Sequence, residues 1–456
     1  MQELLFRFFQ TLDQAEISYA VLRDGDRLEL LSKGGEVDLL LAPEQLEAFR
    51  DLAHRFRFVE LPSWGYEPHR FFVAFDPVTG GWLKLDVVTE LAFGRPIRAL
   101  RTNLAVHCLS TRQHNGQAFV LSPECELVTL LLHGALDKGR FSPFRQARIR
   151  ALRAQIRNGD YVSSLLVSYW LPTMAWERLT ALIDAGDWDA LLREGKAVAE
   201  RLANWDRFGT LYRKVRGRLL RKLTVLVTAR RPRSLSVALL APDGAGKSTL
   251  AARLQSSFYF PVHKVYMGLY PKRDKRSKPL PGLGLALRLL SLWGRYLVAR
   301  YHLNRRRLVI FDRYIYDALL PSQRPLGSSQ RLRRWLLAHA CPPPDMVLLL
   351  DAPADTLFAR KGEHTPERLE AQRQGYQQLR EHLPQLAVVD ASRSPEQVYR
   401  EATAHIWDAY CRRSWNRTPA HPQPGPARQS EAATEALTEA VALCDQHTPR
   451  LPKGTV

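Results

Sequence analysis

Ala241-Pro-Asp-Gly-Ala-Gly-Lys-Ser-Thr249 is the stretch on which the reading of this chain turns. An apolar run, Leu235 to Leu240, precedes it and the helix-forming Leu250-Ala-Ala-Arg-Leu254 follows, so it joins a buried strand to a helix. The first amides of a helix lack intrahelical acceptors, and Gly244 and Gly246 let the backbone wrap until those amides face an anion. A loop of this pattern cradles a polyphosphate along Asp243, Gly244, Ala245, Gly246, Lys247, Ser248 and Thr249. Lys247 then reaches the terminal phosphates and the Ser248 hydroxyl holds Mg²⁺, so ATP and Mg²⁺ are the expected cofactors. Ala241 stands where the pattern ordinarily has glycine. That position ends the strand and need not approach the phosphates as closely as Gly246.

Outward from the loop, apolar strands are expected at Leu235 to Leu240, Val262 to Met267, Leu308 to Phe311, Met346 to Leu350 and Leu386 to Val389, with helices between them. This alternation predicts an α/β domain, a parallel sheet with helices on both faces. Asp312 and Arg313 fall at the carboxyl end of one strand, the edge that faces ligand in open α/β sheets. Asp351 and Asp390 end two others. Either could complete a Mg²⁺ shell through water beside Ser248, or cap the helix that follows.

These residues resemble thymidylate kinase and its relatives among the nucleoside monophosphate kinases. The resemblance spans roughly 235 to 410. It rests on Pro242-Asp-Gly-Ala-Gly-Lys-Ser-Thr249, Asp312-Arg-Tyr314, Val347-Leu-Leu-Leu-Asp351-Ala-Pro, and the lid-like Ala359-Arg-Lys-Gly-Glu-His-Thr-Pro-Glu-Arg-Leu-Glu370 followed by Tyr376. It implies that Asp312 assists Mg²⁺ and proton handling, that Arg313 holds the acceptor phosphate, and that Asp243 contacts acceptor hydroxyls. Gly244 stands where some members carry a loop arginine, so Arg360 or Arg368 of the lid is expected to supply it. The family default is transfer of the ATP γ-phosphate to thymidylate. Two segments depart from the family pattern: Gly268-Leu-Tyr-Pro-Lys-Arg-Asp-Lys-Arg-Ser277 and Ile315-Tyr-Asp-Ala-Leu319. A different phosphorylated or hydroxyl small-molecule acceptor therefore stands as a rival, including a sugar or lipid-linked glycan. A nucleotide-gated binding protein is the reading from another class.

The amino-terminal part is predicted to be a small α/β unit, with strands at Ser18 to Leu22, Val37 to Leu41, Phe71 to Phe75 and Trp82 to Val88 and helices near 2 to 16 and 43 to 55. Glu36 and Asp38 share one strand face by the two-residue period, and Asp86 could bring a third carboxylate to a divalent metal site. With Gly34-Gly35, Leu22-Arg-Asp-Gly25 and His133-Gly-Ala-Leu-Asp-Lys-Gly139, this resembles the nucleotidyltransferase fold. The usual glycine-serine helix start is replaced by Asp24-Gly-Asp26, so an active transferase and a non-catalytic binding domain both remain open. Ser122-Pro-Glu-Cys-Glu126 reads as a helix start, with Leu127, Leu130 and Leu131 at helical spacing. The expected organisation is 1–110 nucleotidyltransferase-like, 111–230 helical with a basic linker, 231–412 kinase-like, and 413–456 largely disordered apart from a short helix near 430 to 444.

A chain of 456 residues exceeds one hydrophobic core. Its five cysteines show no paired spacing, so free thiols are expected, and His263 and His302 lack a further metal-ligand type nearby. The net charge of +20 is concentrated in Arg213 to Arg233 and Lys272 to Arg307. Such fields suit phosphorylated ligands, an anionic membrane surface or nucleic acid. Leu283 to Leu303 reads either as a core helix with outward arginines or as a lipid-facing basic amphipathic helix. With no signal sequence or membrane-length apolar run, a cytoplasmic location is expected, or a peripheral one at the membrane.

Overall fold

The computed structural model describes residues 1–23, 25, 35–61, 67–95, 97–229, 234–269, 283–320, 325–362, 364–381 and 383–415. The Asp24 and Asp26 positions, the linker at 230–233, the segment from 270 to 277 and the helix expected near 430 to 444 lie outside them.

The chain opens with α1 (Gln2–Gln14), β1 (Tyr19–Val21), β2 (Gly35–Leu41), α2 (Leu46–Arg55), β3 (Val59–Leu61), β4 (His69–Asp76) and β5 (Gly81–Val88). A small hairpin of β6 (Leu91–Phe93) and β7 (Leu100–Thr102) follows, then α3 (Leu104–Ser110), β8 (Gln113–His114) and β9 (Phe119–Val120). One mixed sheet runs in the order β3-β4-β5-β2-β1-β9-β8. Its centre is the parallel pair β2 and β5, in which Asp38 sits opposite Asp86 and Glu36 opposite Lys84. Alternation along these strands sends Val37, Leu39, Leu83, Leu85 and Val87 into a core with Phe8 and Phe9 of α1 and Phe49 of α2. The intervening polar residues are left on the other face. That face is closed by a helical layer.

The helical layer comprises α4 (Pro123–Leu132), α5 (Pro143–Gln155), α6 (Asp160–Tyr169), α7 (Trp176–Ala185), α8 (Trp188–Trp205) and α9 (Arg207–Ala229). Ser122 caps α4 as its sequence predicts: its hydroxyl accepts the Cys125 amide at 3.4 Å, with Pro123 in the first turn. Inside α4, Glu126 is buried and held by Arg148 at 2.6 Å, so the charge is not left unpaired.

The remaining elements are β10 (Ser236–Leu240), α10 (Lys247–Ser257), β11 (Val262–Tyr266), α11 (Leu283–Asn304), β12 (Leu308–Asp312), α12 (Ser328–Ala338), β13 (Met346–Asp351), α13 (Ala354–Lys361), α14 (Pro366–Gln378), β14 (Leu386–Asp390) and α15 (Pro395–Trp415). Their five strands form a wholly parallel sheet in the order β11-β12-β10-β13-β14. Every residue of β10 is buried, as expected of a central strand covered on both faces. The connections from β10 and β12 leave towards opposite edges of the sheet. The loop after β10 therefore lies at the carboxyl edge, where the strand order reverses. Helix α11 buries Leu292, Ala299 and Leu303 against this sheet, whereas Leu287, Leu290 and Leu297 face outward.

The β4–β5 hairpin docks on the parallel-sheet half through Trp82. Its ring centroid lies 5.0 Å from those of both Phe258 and Trp407. Its indole N–H donates to the Ser257 carbonyl at the end of α10, and Trp407 donates to the Arg57 carbonyl, each at 3.1 Å. Cys108, Cys125, Cys341 and Cys411 are free and buried. Among the described residues, no helix is long and apolar enough to cross a membrane.

Candidate active site

The loop between β10 and α10 has Gly244 at φ +90° and Gly246 at φ +87°, left-handed conformations that side chains rarely adopt. A Cβ on Gly244 would sit 2.7 Å from the Leu357 carbonyl oxygen, so α13 closes directly over the loop there. At Gly246 nothing lies within 4 Å, and the space above the first turn of α10 is open. Into that space point the amides of a helix start, with the exposed Ser248 and Thr249 beside them. An open cradle of this kind fits a polyphosphate.

Lys247 is buried and folded back on the loop, donating to the carbonyls of Ala241 at 2.5 Å and Pro242 at 2.8 Å. Burial, followed by the charge of Arg313, lowers its pKa to about 8. Arg313 itself has φ +64°, a turn that aims its guanidinium back across the loop. It donates to Asp243 at 2.6 Å and stands 3.7 Å from Asp317. Burial works to raise Asp243, but Arg313, Lys247, Lys361 and His364 together hold its carboxyl below the usual range. Burial raises Asp317, which accepts the Tyr376 hydroxyl at 2.9 Å. Asp312 pairs with Lys264 of the neighbouring strand at 2.7 Å.

The lid residues sort differently from their sequence order. Arg360 donates to the carbonyls of Ala391 and Ser392 after β14, and Arg368 is exposed at the start of α14. Arg373, one turn further on, reaches Asp351 at 2.7 Å, with Gln377 on the same carboxylate at 3.0 Å. Asp351 is thus neither a cap nor an open metal ligand; Pro353 precedes α13 without a side-chain cap. Asp390 turns onto the amide and hydroxyl of Ser392 instead of capping α15. Lys264, Asp317, His364 and Arg373 were not singled out in the sequence. Arg373 shares its face with Leu369 and Tyr376 at helical spacing, and that period is the signal that could have found it.

In the amino-terminal sheet, Glu36, Asp38 and Asp86 do converge, with one oxygen of each within 4.8 Å of the others. Each also has a base: Lys84 lies 2.7 Å from Glu36, Arg23 2.7 Å from Asp38, and His69 2.6 Å from Asp86. Burial raises Asp38 while Arg23 pulls it back. Arg23 also meets His133 at 3.0 Å, and His133 meets Asp137 at 3.0 Å, so the cluster continues across to the helical layer. His263 and His302 stack on each other with centroids 3.4 Å apart.

A thymidylate kinase from Xanthomonas oryzae pv. oryzae (strain PXO99A) is 31% identical over 195 residues, a match covering 39% of this chain and 84% of that protein. A deoxyguanosine kinase from Bacillus subtilis (strain 168) is 29% identical over 133 residues, covering 27% of this chain and 64% of that one. A solved thymidylate kinase structure from Candida albicans aligns with a TM-score of 0.31 at 19% identity, over 39% of this chain and 93% of that chain. No protein-family model matches the chain.

Proposed function

The chain belongs to the thymidylate kinase family, and from that premise we propose that it transfers the γ-phosphate of ATP, with Mg²⁺, to a nucleoside monophosphate. The observation that carries this reading is the open cradle at Gly246, with the Lys247 ammonium buried beneath the loop and Arg313 bound across it to Asp243. Phosphoryl transfer requires positioning and charge neutralisation more than covalent chemistry. In this reading Lys247 moves from its carbonyl partners to the phosphates, and Ser248 and Asp312 hold the metal. Arg313 exchanges Asp243 for the acceptor phosphate, leaving the Asp243 carboxylate for an acceptor hydroxyl. Arg360 or Arg368 supplies the mobile positive charge of the lid, and Arg373 keeps Asp351 neutralised. ATP and Mg²⁺ supply the phosphoryl group and its charge compensation.

Thymidylate is not the acceptor we favour. The 315–319 segment buries Ile315, Tyr316 and Ala318, and places the Asp317 carboxylate beside Arg313 and Tyr376. Together with the replaced 268–277 segment, this half-buried carboxylate wall departs from the family's acceptor pocket and favours a different nucleotide acceptor. The amino-terminal domain resembles a nucleotidyltransferase by its sequence pattern alone. Its carboxylates carry their own bases, so we assign no transfer chemistry to it. The test is ATP and Mg²⁺ turnover by the full chain against a panel of nucleoside monophosphates and sugars. A nucleotide acceptor should be phosphorylated, and thymidylate more slowly than the best of them. Turnover of sugars alone would overturn the acceptor class.

A further inference from the structure

Over Arg207 to Lys222, helix α9 packs on the amino-terminal domain by one side. Thr210 is buried, Arg213 donates to the Ala99 carbonyl at 3.0 Å, and Gly217 lies so close to Ile97 that an added Cβ would approach its side chain to 2.6 Å. Arg216 pairs with Glu67 at 3.1 Å. On the opposite side Phe208, Leu211, Tyr212, Val215 and Leu219 recur at helical spacing and are between 55% and 87% exposed. Leaving such a stripe to water is unfavourable by the ordinary hydrophobic effect, and a contiguous patch of this kind marks a contact surface. Along one border of the stripe stand Arg207, Lys214, Arg218 and Lys222, all exposed. No Asp or Glu occurs anywhere from Arg207 to Pro242.

We propose that α9 is a docking helix for an anionic phospholipid surface, lying in the headgroup region with its apolar stripe inserted and its basic border on the lipid phosphates. An apolar centre with a cationic margin is complementary to a bilayer, whose charge lies at the surface above hydrocarbon. A nucleic acid would meet Phe208 and Leu211 where it needs cations. A second copy would set two basic margins against each other. The described helices are too short in apolar length to span a bilayer, so the contact is interfacial.

The experiment is co-sedimentation of the full chain with vesicles of phosphatidylcholine, alone or mixed with phosphatidylglycerol. Binding to the mixed vesicles should be at least about tenfold tighter, since each basic residue near the surface contributes appreciably. Lys214→Glu with Arg218→Glu should erase that preference, and Phe208→Ser with Leu211→Ser should weaken binding to both vesicle types. Both variants should keep the wild-type melting temperature and phosphotransfer to soluble acceptors. Failure to bind mixed vesicles would overturn the proposal, as would binding that neither variant changes. So would a dimer, seen by light scattering, that the same substitutions dissociate without any effect on lipid binding.

Discussion

Lys247 carries a proton-linked signature of the phosphate site. Its pKa of about 8 lies below the ordinary lysine value because the ammonium is buried and faces Arg313. Between that value and the unfolded one the unfolded chain binds more protons, so the unliganded fold gains stability from this group as pH rises above 8. A bound polyphosphate stabilises the charged form and raises the pKa again. Nucleotide affinity should therefore be flat below pH 8 and fall above it, by up to about tenfold per unit, with proton uptake on binding. Calorimetry in buffers of different ionisation enthalpy would register that uptake, and an affinity unchanged up to pH 10 would exclude it. Asp38 tests the second cluster. Burial and the neighbouring carboxylates raise Asp38 overall despite Arg23, so its charge costs the fold, and the neutral isostere in Asp38→Asn should leave the melting temperature at neutral pH unchanged or higher. Arg23 and Lys84 occupy two members of the trio, so Mg²⁺ must displace them to bind; a gain in melting temperature with Mg²⁺ that this substitution removes would support the metal site, and no gain would leave the carboxylates to their bases.

Strand β5 is the element that joins the two halves. It carries Asp86 and Lys84 into the acidic cluster and Trp82 into the aromatic contact at the end of α10, the helix that begins at the phosphate loop. Trp82→Ala removes the half-buried ring that Phe258 and Trp407 pack against and should cost about 1–3 kcal/mol. Scanning calorimetry should then resolve two transitions where the intact chain shows one; a single unshifted transition would show that the halves do not rely on this contact. The elements themselves were largely legible. Four of the five strands of the parallel sheet are near-continuous apolar runs, the edge strand β11 (Val-His-Lys-Val-Tyr) being the exception, and all five match their expected positions to within a residue or two, as do α1, β2, β4 and β5. Short elements such as β3, β6 and β9 were not, because two or three residues carry too little period to read unless apolar neighbours extend the run, as Leu22 does for β1. At the site, the phosphate loop and Asp312-Arg313 have local signatures. Lys264 and Asp317 do not, since their partners lie on other elements and only the fold brings them together; Arg373 has a helical-face signal in its spacing from Leu369 and Tyr376, but its partner Asp351 does not show in the sequence.

At the scale of the whole molecule, a mixed sheet with an acidic cluster that carries its own bases and a parallel sheet with an open phosphate cradle share one chain of net charge +20. The chemistry is assigned to the second of these alone. That assignment depends on one side chain, because Lys247 is the only lysine in the loop and the group expected to follow charge onto the transferred phosphoryl. The most direct measurement is transfer of labelled γ-phosphate from ATP to the best nucleoside monophosphate acceptor by the full chain and by Lys247→Ala, with the melting temperatures of both. Transfer should need Mg²⁺ and fall by about 10²-fold or more in the variant, which should still unfold cooperatively, since the lysine holds two loop carbonyls and no part of the apolar core. A variant that keeps most of its activity, or an intact chain that transfers no phosphate to any nucleotide acceptor, would contradict the assignment.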